Sequence, residues 1–132
     1  MNNNQQEQLF TELTPEEGAV IEGGAWLYLY KATAINAGAD FGWHNGDDVY
    51  ARINGDKTKK TNDVDSGETA NFYKWKQFSG TASISLFDDD TWPNNDDYLG
   101  GFTVNSNPTN GYVTKRISGG GSTYDVTYIV FA

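Results

Sequence analysis

The chain has 132 residues and a formal net charge of −9, with no cysteine and a single histidine. That length suits one domain with a moderate core; the missing cysteine excludes disulfides, thiolate metal sites and a cysteine nucleophile; the acidic balance argues against nucleic acid, whose phosphates need a basic surface. Four Trp, eight Tyr and seven Phe beside 15 Gly and three Pro are the ingredients of strands and turns, and no apolar run reaches the roughly 18 residues of a membrane span.

In chain order, Met1 to Gln8 is rich in Asn and Gln and is expected to be disordered. Leu9 to Glu22 spaces Leu9, Leu13, Val20 and Ile21 among acids in a weakly helical pattern. Thr14 supplies an N-cap, Pro15 the first helical position, and Glu16 and Glu17 first-turn acids. This predicts a helix of about two turns, too short to persist alone. The pattern stops at Gly23-Gly24, and Ala25-Trp26-Leu27-Tyr28-Leu29-Tyr30 switches to strand chemistry. Read from the residues alone, the glycine pair is a helix C-cap followed by a linker.

Beyond that point one-faced strands are expected. Leu27 and Leu29 oppose Tyr28 and Tyr30; Val49, Ala51 and Ile53 oppose Tyr50 and Arg52; Ala82, Ile84 and Leu86 oppose Ser83 and Ser85. Further strands are predicted over Ala70 to Trp75, Phe102 to Val104, Tyr112 to Ile117 and Thr123 to Phe131. Turn signals separate them at Asn54-Gly55, Ser79-Gly80, Asn110-Gly111 and Gly119-Gly120-Gly121. The expectation is an all-β fold, two packed antiparallel sheets of about seven or eight strands, with no internal repeat and no second domain.

The acids are not spread evenly. Asp40, Asp47 and Asp48 form one cluster and Asp88, Asp89, Asp90, Asp96 and Asp97 another, and neither segment holds Lys or Arg. Both fall between predicted strands, as interstrand loops that meet at one end of a sandwich. Carboxylates held a few Å apart repel, and a hard cation taking six to eight oxygens, Ca2+ above all, relieves that repulsion. The competing reading is a solvated acidic surface. An EF-hand fails, because Trp92 and Pro93 occupy its fifth and sixth positions and no Glu closes the loop.

Phe41 and Trp43 lie in the first acidic segment and Trp92 in the second, where they either contact a ligand or fold back over the loop. Lys57, Lys59 and Lys60 form a basic run suited to an anionic lipid or polysaccharide, or to a solvated edge strand. Catalysis finds little support. His44 has no Gly-x-Ser-x-Gly nucleophile turn to serve, glycoside hydrolysis needs one raised carboxyl pKa in a cleft, and the Gly119 to Ser122 stretch has no phosphate-loop lysine.

Two resemblances sharpen this reading. Leu13, Thr14, Glu17, Ile21, Gly23 and Gly24 resemble a double-glycine leader, the peptide by which bacteriocins and related bacterial precursors are recognised by export transporters with a C39-type cysteine-peptidase domain. That implies a leader over 1–24, a mature domain over 25–132, and an exported bacterial protein secreted to the extracellular side. Ile84, Leu86, Phe87, Asp88, Asp90, Asp97, Tyr98, Leu99 and Gly100, with Asp40, Gly42 and Asp48-Val49-Tyr50, resemble the third and first loops of the C2 domain, in the form found in small secreted bacterial proteins. Val49 stands where that family has Pro.

The C2 resemblance implies an antiparallel C2-like β-sandwich that binds Ca2+ through Asp40, Asp48, Asp88, Asp90 and Asp97, with Asp47, Asp89 and Asp96 as near alternates. It further implies loop-tip contact with lipid through Phe41, Trp43 and Trp92 once Ca2+ has neutralised the acids. The function so read is a non-catalytic calcium-binding module that contacts anionic lipid, glycan or protein. A bacteriocin-like effector, and a self-assembling surface or filament protein whose Ca2+ is purely structural, are the competing classes.

Overall fold

A computed structural model describes residues 24–39, 46–91 and 93–132. Among these residues there are nine strands and no helix: β1 (Gly24–Asn36), β2 (Asp47–Ile53), β3 (Asp56–Lys57), β4 (Thr61–Val64), β5 (Thr69–Ser79), β6 (Thr81–Asp88), β7 (Asp97–Asn105), β8 (Val113–Gly119) and β9 (Ser122–Phe131). One antiparallel sheet has the order β5-β1-β9-β8; the other has the order β3-β2-β6-β7, with β4 also paired to β2. The leader segment up to Gly23, and Asp40, Phe41, Trp43, His44 and Trp92, lie outside the described residues. Gly24 opens β1 opposite Ser79.

The alternation that predicts the strands also builds the core. Leu27 and Leu29 from β1, Ile53 from β2, Ile84 and Leu86 from β6 and Leu99 from β7 are all fully buried between the sheets, each stabilising the fold by about 1.5–3 kcal/mol. Tyr124 is the largest fully buried side chain among the described residues.

Three details differ from the sequence expectation, each for a local reason. The strand count is nine because β3 and β4, at two and four residues, are too short and too exposed to alternate; both dock on β2. Asn54 and Gly55, with φ of 49° and 89°, turn β2 into β3 as a tight hairpin, and Thr58 Oγ1 accepts the Ala51 amide at 2.9 Å, clipping the following segment to β2. Strand β1 runs to Asn36 because its inward positions beyond Tyr30 are Ala32 and Ala34, which give a weak apolar signal. Strand β7 starts at Asp97 rather than Phe102. Gly100 permits this, with φ 113° and space for a Cβ closed by the Ser118 carbonyl oxygen at 2.8 Å, so that β7 and β8, the outer strands of the two sheets, come together.

Candidate metal centre

The acids sit largely in strand ends rather than in loops, which corrects the sequence reading. Asp47 and Asp48 open β2, Asp88 closes β6 and Asp97 opens β7. Asp88 and Asp97 are direct cross-strand partners, an arrangement of like charges that destabilises a sheet unless it is neutralised. Asp90, two residues past the end of β6, folds back to the same point. Carboxylate oxygens of Asp88, Asp90 and Asp97 lie within 4.8 Å of one another. Asp88 is fully buried, whereas Asp90 and Asp97 are half-buried, so the cluster opens toward solvent on one side.

Backbone hydrogen bonds hold this triad from the β2 side. The Asp48 amide donates to Asp88 Oδ1 at 2.6 Å, and the Asp48 carbonyl accepts the Asp89 amide at 2.8 Å. The two acidic segments are thereby joined at one end of the sandwich. Asp48 Oδ1 accepts the Asp63 amide at 2.8 Å, and Asp63 Oδ1 accepts the Gly46 amide at 2.8 Å. Asp63 adopts a φ of 55°, a conformation that Asp tolerates better than most residues. Asp63 was not singled out in the sequence, where one acid in Thr-Asn-Asp-Val gives no signal; the left-handed turn that aims it is visible only in the fold.

The remaining acids have other work. Asp47, fully buried, accepts the Ala39 amide at 3.1 Å, the Ser122 hydroxyl at 2.7 Å and the Tyr124 hydroxyl at 2.7 Å. It ties the chain leaving β1 to the start of β9. Burial first, and then the Asp47 carboxylate, push the Tyr124 phenol well above its ordinary range. Asp96 accepts the Tyr50 hydroxyl, and its Oδ1 takes the Asp90 amide at 2.9 Å; the hydrogen bond from Tyr50, then that from Asp90, hold its carboxyl below the usual range. Tyr50 is itself pushed up to about 12, by burial and then by Asp96. Asp89 pairs with Lys60 at 2.6 Å, which raises the lysine pKa.

Thus the structure brings Asp88, Asp90 and Asp97 together, places Asp48 beside them through its backbone, and engages Asp47, Asp89 and Asp96 elsewhere. The basic run is also divided. Lys57 Nζ stands 4.2 Å from the Tyr50 ring centroid and Lys59 Nζ 5.3 Å from that of Tyr73, leaving Lys60 as the neutralising partner that neither acidic segment contains. The donor set fits a hard cation: oxygens that share an ion at about 2.4 Å stand at most about 4.8 Å apart, and three carboxylates with one solvent-facing side leave room for water or further oxygens.

Solved structures place this architecture. A C2 domain of plant Extended Synaptotagmin 1 superposes with a TM-score of 0.54 at 12% identity, over 82% of this chain and 92% of that one. The fold is C2-like. A second C2 domain matches with a TM-score of 0.54 at 14% identity, over 83% of this chain and 98% of that one. The calcium-bound tandem C2 domains of Extended-Synaptotagmin 2 match with a TM-score of 0.59 at 14% identity, over 83% of this chain and 45% of that one. No protein-family model matches the chain, and no curated protein matches it in sequence.

Proposed function

We propose that this chain is an exported, non-catalytic Ca2+-binding C2-like module that engages an anionic surface when its acidic end is loaded. The observation that carries the reading is the convergence of Asp88, Asp90 and Asp97 oxygens within 4.8 Å, across a strand pair that sets two carboxylates face to face. Those three would hold the ion, with Asp48 and Asp40 as the further ligands that the C2 resemblance implies. Bound Ca2+ would supply positive charge to a triad made only of carboxylates, converting a repulsive end of the sandwich into one that can bridge to phosphate or carboxylate groups. Phe41, Trp43 and Trp92 would then contact the partner. A calcium-bound C2 structure among the fold's neighbours supports the choice of ion.

Cosedimentation of the full chain with phosphatidylserine vesicles tests the switch. Protein should pellet with Ca2+ and stay in the supernatant with chelator; equal partition in both conditions would remove the switch. Export through a C39-type peptidase transporter makes a separate prediction. The secreted form should have a mass corresponding to a start at Ala25, leaving β1 short only of Gly24, and an intact Met1 on the secreted protein would contradict the leader.

A further inference from the structure

The outer face of the β5-β1-β9-β8 sheet has no part in the metal centre, yet it carries a cluster of aromatic side chains. Trp26, Tyr28 and Tyr30 project from β1, and Tyr73 and Trp75 from β5. Tyr28 packs on Trp75 at 4.7 Å between ring centroids, and Trp26 meets Trp75 edge-on at 6.4 Å. Tyr30 lies between Tyr73 at 5.8 Å and Tyr112 at 5.5 Å, so three phenols form a row across the strands. Tyr73 and Tyr112 are each 54% exposed. The other four rings are half-buried, so two exposed phenols stand on a packed aromatic floor, a kind of surface that marks an interaction site.

Backbone geometry is spent on building it. Tyr73 has a φ of 50°, a left-handed conformation that is an outlier for a bulky aromatic residue. Pairing shifts register between Leu29 and Lys31 on both sides of β1, which allows Tyr30 and Lys31 to share the outer face. Lys31 Nζ stands 4.9 Å from the Tyr30 ring centroid, and Lys59 Nζ 5.3 Å from that of Tyr73. Strain maintained at an exposed position points to a contact that uses it.

Charge selects the occupant. The chain carries −9 overall, but the patch itself is made of rings, phenol hydroxyls and two ammonium groups, and the Asp125 carboxylate farther along the same face of β9 is paired with Arg116 at 2.8 Å. A second copy would set lysine against lysine, so the local charge of the patch, not the net charge of the chain, favours an anionic occupant. Sugar rings offer apolar C–H faces that stack on aromatic rings and hydroxyls that pair with phenols, and acidic sugars add carboxylates for Lys31 and Lys59. The phenols lie close enough to influence one another, since burial and then Tyr112, Tyr73 and Tyr30 raise the pKa of Tyr28. From the aromatic row and its two flanking lysines we infer that this face is a Ca2+-independent binding platform for an anionic polysaccharide chain.

Affinity electrophoresis of the full chain through polygalacturonate gels in chelator tests this independently of the metal centre. Polygalacturonate should retard the protein, and neutral dextran should not. Tyr112→Ala, and Tyr73→Asn, which suits the left-handed backbone, should each weaken retardation at least tenfold, while Tyr98→Ala, on the other sheet, should leave it unchanged. Retardation that persists in both platform variants would overturn the assignment, as would its absence in the parent chain. A concentration-dependent dimer, or chelator-resistant binding to phosphatidylserine vesicles, that the same two variants abolish would give the face to a second copy or to a membrane instead.

Discussion

Asp47 and Asp88 are both fully buried carboxylates at the same end of one sheet, one opening β2 and the other closing β6. Their surroundings are opposite. Asp47 is met by three donors, the Ala39 amide and the hydroxyls of Ser122 and Tyr124. Asp88 takes the amide of Asp48 and then faces the carboxylates of Asp90 and Asp97. The first arrangement is complete without an ion and fastens the fold. The second gathers negative charge that a cation would relieve. Acidic side chains that look alike in a sequence are thus sorted by whether protein donors or other carboxylates surround them.

Removing each acid should expose that difference. Asp47→Ala leaves three donors without their acceptor and should cost about 3 kcal/mol or more in urea unfolding, with or without Ca2+; a loss under about 1 kcal/mol would mean that water replaces the carboxylate readily. Asp88→Asn keeps an oxygen for the Asp48 amide while removing charge from the cluster, so the Ca2+-free protein should be at least as stable as the parent. The loss instead appears with the ion: the parent should gain about 2.7 kcal/mol at a Ca2+ concentration of 100 times Kd, and the double variant Asp88→Asn, Asp90→Asn should gain nothing in the same melting experiment.

Smaller effects follow for the acids engaged elsewhere. Tyr50→Phe removes the hydroxyl that Asp96 accepts and should cost about 1 kcal/mol. The folded Tyr50 phenol is raised from 10.0 to about 12, so its contribution is complete below pH 10 and is lost as pH rises from there through about 12; ultraviolet titration of the parent against Tyr50→Phe reads that window directly. Lys60→Ala removes the partner of Asp89, an exposed pair of small worth. It should barely move the melting temperature, yet strengthen Ca2+ binding by withdrawing a competing cation, and weaker binding would contradict the repulsive role of the cluster.

Much of the fold was legible because period-two alternation survives wherever a strand has one buried face, as in Ala82, Ile84 and Leu86. Legibility failed where side chains were small or absent, as at Ala32 and Ala34 in β1 and at Gly100-Gly101 in β7, and where a strand was too short to alternate, as in β3. The clustering of Asp88, Asp90 and Asp97 was visible as composition, but the separation of Asp97 from Asp96 was not. Strand register decides it, by setting Asp97 opposite Asp88 and sending Asp96 to Tyr50. The Lys60 partner and the Asp63 brace come from β4 and the segment before it, whose sequence gives no sign of approaching the acids. The aromatic platform was likewise hidden, because alternation assigns Tyr28 and Tyr30 to an outer face without saying that Tyr73, Trp75 and Tyr112 join them.

Calorimetric Ca2+ titration of the full chain, alongside Asp88→Asn, Asp97→Asn and Asp96→Asn, tests the central claim most directly. Saturable binding in the parent and in Asp96→Asn, abolished by either change at the paired positions Asp88 and Asp97, is the predicted result. Absence of binding heat in the parent together with an unchanged melting temperature in Ca2+ and in chelator, or binding that survives both paired substitutions, would contradict it.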